Sequence, residues 1–236
     1  MKLVKLLGNL GYGSRKDVSK LIKNGWLTRR DGSTIGIDDD DVPHEDILLD
    51  DEPLDPAHGV LILLHKPVGF TCSTKDPGRV VYDLLPERFR YRNPVLSTVG
   101  RLDRDTSGLL MLTDDGLLLH QIISPKAHLP KIYKVELAED LRGDETELFA
   151  SGTLMLESEK HPLAPAKMDI VTPRSVRLTL IEGRYHQVRR MFAATGNNVL
   201  SLHRTQTGNL DLAGLEPGQW RIVSRAEANE KLFGVV

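Results

Sequence analysis

Residues 100–116 read GRLDRDTSGLLMLTDDG, and two kinds of chemistry meet within them. The first part carries two acids, Asp103 and Asp105, and two arginines, Arg101 and Arg104, ahead of the hydroxyls Thr106 and Ser107. Leu109 to Thr113 then forms an apolar run of strand length, closed by Asp114-Asp115-Gly116. Aspartate and glycine in that order make a good turn, and nothing more is expected of it. A charged loop thus sits at the end of a buried strand. A carboxylate flanked by guanidinium groups keeps its charge. That suits a nucleophile or an electrostatic stabiliser and suits a general acid poorly. Composition alone equally allows a salt-bridged structural turn.

Working outward, Val60 to Leu64 is another short apolar strand, stopped at His65-Lys66-Pro67-Val68-Gly69. Leu117 to Ile123 reads as a short helix. In KIYKVEL, Tyr133, Val135 and Leu137 alternate with Lys134 and Glu136, and in VRLTLIEG, Val176, Leu178 and Leu180 alternate with Arg177 and Thr179. Period two makes both strands with one apolar face. Asp144 and Glu147 read as a capping box before Leu148 and Phe149. Val188, Met191, Phe192 and Thr195 mark a helix that Gly196 can end. Strands outnumber helices, so an α+β fold is expected, with a mixed, mainly antiparallel sheet and helices beside it.

The 236 residues are 40% hydrophobic and 27% charged, which excludes wholesale disorder. No apolar run has the length of a membrane helix, and the N-terminus lacks a secretory h-region. A single cysteine, Cys72, excludes an internal disulfide and a Cys-ligated zinc site, and fits a reducing cytoplasm. Net charge is −2, unevenly spread. Residues 1–30 hold eight basic residues against one acid, a net of +7, whereas residues 31–58 hold eleven acids and no Lys or Arg. A polyanion-binding head (with an acidic linker to residue 58) and a body from residue 59 to 236 are expected.

In the head, Ser14 and Asp17 form a capping box, and Val18, Leu21 and Ile22 give the following helix an apolar side. Arg15, Lys16, Lys20 and Lys23 fall mostly off that side. Leu3, Leu6, Leu7 and Leu10 mark a first helix, and Trp26-Leu27-Thr28 a strand turning at Asp31-Gly32. The run Asp38 to Asp41 lacks the spacing of a calcium loop and reads as a solvated connector.

In the body, Glu182-Gly183-Arg184-Tyr185-His186-Gln187-Val188-Arg189-Arg190 leads from a strand into a helix. A helix N-terminus with three arginines favours an anion, although a basic helix start needs no ligand. Tyr133 alone would read as a core aromatic. His186 reads as a structural or RNA-contacting residue. The histidines lack H-E-x-x-H spacing, and no G-x-S-x-G elbow, Walker loop or dinucleotide fingerprint occurs.

LLGNLGYGSRKDVSKLIKNGWLTRRDG resembles the S4 RNA-binding domain. GRLDRDTSGLLMLTDDG, KIYKVEL and EGRYHQVRRMFAATG, in that order, together with LLHKPVG, resemble the pseudouridine synthases, and CSTKDP and EGRYHQVRRMFAA resemble their RsuA type. The resemblance implies the pseudouridine synthase fold with an S4-like α/β head. It implies an isomerase converting uridine 516 of 16S ribosomal RNA in the cytoplasm. It assigns Asp103 as the essential aspartate, Arg189 as the arginine that pairs with it and Tyr133 as the tyrosine stacked on the target base. Arg15, Lys16, Lys20, Lys23, Arg101, Arg184 and His186 are the expected RNA contacts. Uracil supplies its own leaving group and acceptor, so no metal or cofactor is expected. Ribosomal RNA, free or in an assembling particle, is the expected partner, no membrane is involved, and a monomer is expected. Rival readings are a non-catalytic RNA-binding or ribosome-assembly protein, which would show no turnover, and a retaining glycosidase, against which 5% aromatic content argues.

Overall fold

Leu3–Leu10 (α1) buries Leu3, Leu7 and Leu10, one turn apart on one side. Arg15–Lys23 (α2) opens on the expected capping box: Asp17 N donates to Ser14 Oγ, and Ser14 N to the Asp17 carboxylate at 3.1 Å. Val18 and Ile22 face α1, and Arg15, Lys16, Lys20 and Lys23 are exposed. Leu27–Arg29 (β1) pairs antiparallel with Ile47–Leu49 (β2), which pairs with Glu52–Pro53 (β3). The acidic segment is therefore no connector. Ile35, Ile47 and Leu54, spaced among its acids, complete the core begun by α1 and α2. Asp39 meets Arg29 at 2.8 Å and Asp46 lies 3.8 Å from Arg30, so part of the head's positive charge is matched within the head. The computed structural model describes every residue except Met1, Asp40, Lys75, Pro125, Lys126 and Val236. The aspartate run 38–41 therefore lies partly outside the described residues.

A second body of structure surrounds a nine-stranded sheet. Leu61–Lys66 (β4), Ser97–Val99 (β5) and Thr106–Thr113 (β6) form its middle, with β6 paired to both of the others. β4 runs through His65 and Lys66, two residues past the apolar run. β4 and β6 are covered on both faces, as continuous apolar strands must be. Ile62, Leu64, Leu110 and Leu112 enter one core, and Leu61, Leu63, Leu109 and Met111 the other. Gly116–Ile123 (α3) follows β6, with Asp115 capping it through Leu117 N and Leu118 N. Lys131–Leu137 (β7), Glu145–Ser151 (α4), Lys167–Thr172 (β8), Ser175–Leu180 (β9), Gln187–Ala194 (α5), Val199–Thr207 (β10), Leu210–Asp211 (β11), Trp220–Val223 (β12) and Arg225–Ala228 (α6) complete the order. The sheet runs β12-β4-β6-β10-β7-β9-β8, with β5 also on β6 and β11 on β10. Among the named strands of the described residues, only β6 and β10 pair in parallel. Gly108 permits that pairing, because a Cβ there would meet Arg204 O at 2.2 Å.

Two local expectations need correction. Asp144 makes no side-chain cap on α4; the Glu145 carboxylate instead accepts from Arg142 N and Gly143 N. Asp114 is more than a turn residue. Its carboxylate is buried, accepts from Gly59 N and Val60 N, and meets Arg92 at 2.8 Å. Arg92 also donates to Pro56 O and Ala57 O. Beside it, Asp55 meets Arg88, and Asp55 N donates to Tyr12 Oη at 2.9 Å. The head is joined to the sheet through buried charge.

Candidate active site

The loop 100–105 enters β6 and is clamped from below by β4. Lys66 is fully buried, and its ammonium donates to Asp103 O at 3.0 Å, Thr106 O at 2.7 Å and Pro67 O at 3.2 Å. Burial holds it below the usual lysine range, while the Asp103 and Asp105 carboxylates oppose that shift. Gly69 N donates to Arg104 O, and Leu102 N to Cys72 Sγ. Burial pushes the Cys72 thiol up, so it stays protonated. Backbone bonds thus hold the charged loop, leaving Arg101 and Asp103 to face a cleft.

That cleft, of about 470 Å³, runs from Arg101 and Asp103 across β10 and β7 to Glu182 and the start of α5. Asp103 reaches it, with Oδ1 3.3 Å from His186 Nε2. His186 caps α5 in a left-handed conformation, φ 47°, and stacks on Tyr185 with ring centroids 3.9 Å apart. Tyr185 is 69% exposed at the rim, a position sequence reading left without a role. Tyr133 lines the floor, 9% exposed, and packs its ring into the core beneath. It is both a core aromatic and a cleft residue. A second hollow, of about 540 Å³, lies in the head, lined by Arg29, Arg30 and five aspartates, of which Asp39 pairs with Arg29 and Asp46 with Arg30.

Arg189 does not pair with Asp103. Its guanidinium meets the Asp105 carboxylate at 2.8 Å and donates to Val199 O and Asp105 O. The chain turns between the two acids, so Asp103 faces the cap of α5 while Asp105 lies along its side. Arg184, expected on RNA, is saturated: it donates to Glu182, Glu159, His161 O and Pro162 O. Arg190 is likewise held by Glu159 and Tyr185 O. The three arginines around the start of α5 are thus neutralised within the protein, and no free cation cluster stands at its N-terminus among the described residues. Arg101 remains exposed at the rim.

Two further cleft residues escaped sequence reading. Arg204 is 4% exposed and donates to Leu109 O at 2.8 Å, and Lys131 begins the strand that carries Tyr133. The string KIYKVEL contained Lys131; nothing in the pattern of residues 199–207 singled out Arg204.

The profile of the family described as RNA pseudouridylate synthase matches residues 60–194. Ribosomal small subunit pseudouridine synthase A of Escherichia coli K12 is 44% identical over 189 residues, covering 79% of this chain and 80% of that protein. The protein of the same name from Haemophilus influenzae is 39% identical over 243 residues, covering 98% and 99%. A crystal structure described as a pseudouridylate synthase superposes with a TM-score of 0.68 at 37% identity, covering 98% of this chain and 99% of that one.

Proposed function

Because this chain belongs to the RNA pseudouridylate synthase family, we propose that it isomerises one uridine of 16S ribosomal RNA, uridine 516, to pseudouridine. The observation that carries this reading is the 44% identity to a ribosomal small subunit enzyme, over a span that includes the Asp103 loop. The reaction breaks the N1–C1′ bond, turns the uracil and joins C5 to C1′. Positive charge grows at C1′ and negative charge on the base. The Asp103 carboxylate, at the mouth of the cleft, stabilises or captures C1′ and need never be protonated. The Tyr133 ring holds the detached base, a stacking interaction worth ~1–3 kcal/mol. Arg189 acts at one remove: it ties α5 to the Asp105 end of the same loop and so fixes the loop's course. The head, read as S4-like, lays the exposed cations of α2 along the RNA backbone. The setting is the cytoplasm, and the protein acts as a monomer.

Mapping pseudouridine in ribosomal RNA from cells with and without the gene tests the reading. We expect one small-subunit signal, at uridine 516, to vanish and to return on complementation. An unchanged map would leave an RNA-binding protein without turnover.

A further inference from the structure

Past Tyr133 the cleft continues along β7 to a polar end that the roles above leave unused. Lys131 and Tyr133 are two residues apart on one strand, so both project to the same face, ~7 Å apart. Across the ladder to β10, Lys131 pairs with Thr207 and Tyr133 with Arg204. All four line the cleft. Thr207 is 2% exposed, and its hydroxyl has no hydrogen-bond partner among the described residues. A buried, unpaired hydroxyl costs about 1–3 kcal/mol and is rare without a purpose. Lys131 carries three donors and spends one on Leu129 O at 3.0 Å. No carboxylate lies in salt-bridge range of it among the described residues. Glu182, at the same end, is committed to Ala164 N, Gln187 and Arg184. Burial, helped by Arg204, holds Lys131 below its usual range.

We propose that Lys131, with Thr207 beside it, is a catalytic subsite that receives an exocyclic oxygen of the uracil ring while the detached ring carries negative charge. This rests on the uridine isomerisation reading. When N1–C1′ breaks, the electron pair stays on N1, and the anion spreads to O2 and O4. The ring turns, C5 supplies an electron pair to C1′, the C5 proton leaves and N1 takes one up, so the formula is unchanged. Lys131 moves no proton in this sequence; it holds the charge that develops. A base lying on Tyr133 presents its rim to the next side chain along the strand, which is Lys131. The Glu182 carboxylate nearby disfavours a full phosphate charge there more than the dispersed charge of a base.

The test compares Lys131→Met, Lys131→Arg and Thr207→Val with wild type in single turnover. Two substrate RNAs carry either uridine or 5-fluorouridine at the target; because C5 of the fluorinated base has no proton to lose, conversion of both is read as breakage of the N1–C1′ bond, and RNA affinity is measured alongside. Fluorine at C5 makes the base a better leaving anion. On uridine RNA, Lys131→Met should convert ~100-fold more slowly, the loss typical of one donor to a developing anion. Lys131→Arg should recover part of that rate, and Thr207→Val should slow it about tenfold, with Kd changed less than twofold throughout. On 5-fluorouridine RNA the Lys131→Met deficit should shrink. Equal deficits on both RNAs, a wild-type rate, or weakened binding with an unchanged rate would each overturn the subsite. If Lys131→Met unfolds the protein, the nearly isosteric Thr207→Val carries the same comparison. Failure of the isomerase reading is distinguishable, since wild type would then convert neither RNA.

Discussion

At the scale of residues, Asp103 and Asp105 share a loop and differ in everything that matters to chemistry. Asp103 opens to the cleft beside His186, and Asp105 is 65% exposed on its pair with Arg189. Ion pairs of that exposure contribute about 0–1 kcal/mol. Asp103→Asn should fold, bind RNA and release no tritium from 5-tritiated uridine. Asp105→Asn removes the same charge from the same loop and should keep activity within about fivefold, since roughly 1 kcal/mol corresponds to that factor. Activity in Asp103→Asn, or its loss only in Asp105→Asn, would reverse the assignment. The sequence motif marked the loop and, by resemblance, the acid. It did not mark the acid's neighbours: Arg189 and Asp105 are 84 residues apart, and period and spacing carry no information about such pairings. Lys66 was equally hidden. A lysine next to proline reads as a solvated turn, and only the fold places it under three carbonyls.

Among the elements, β7, β9 and α5 were legible because each keeps one period along its length, and β6 because it carries an unbroken apolar run of strand length. Their order in the sheet was not, because alternation tells which face a side chain takes and says nothing about which strand lies beside it. β10 shows the difference. It slips register against β7 between Arg204 and Gln206, and pairs in parallel with β6. On that seam Ser107 Oγ and His203 Nδ1 are 2.8 Å apart, and His203 meets His65 edge to face at 5.3 Å. Burial, with His65 and Lys134 adding to it, holds His203 below its ordinary value of 6.5. The folded protein therefore takes up this proton less readily than the unfolded chain. Its contribution is fully present above about pH 6.5 and is lost as pH falls from there through the depressed folded value. His203→Asn should flatten the acid side of a plot of Tm against pH and leave the alkaline side alone. Parallel curves for the two proteins would remove His203 from the acid response.

For the molecule as a whole, the junction decides how the head can be tested. Cutting after residue 58 would strip Asp55 from Arg88 and the Pro56 and Ala57 carbonyls from Arg92, leaving Arg88 without its carboxylate and Arg92 with Asp114 alone. Point changes on α2 avoid that damage. Lys16, Lys20 and Lys23 lie on one side of the helix and are exposed. Replacing all three by alanine should weaken RNA binding and make the plot of log K against log salt shallower, by about 0.7–0.9 for each phosphate no longer neutralised. An unchanged slope would remove α2 from the RNA.

The parallel seam also has a consequence in time. Ser107 and His203, which meet on it, are 96 residues apart in the chain. Local turns close in microseconds, but pairings across such a span come late. At roughly 5–20 residues per second of synthesis, the Asp103 loop leaves the ribosome on the order of 5–20 s before the strand that closes its cleft. A nascent chain therefore carries the motif for seconds without a site, and competence is among the last properties it acquires.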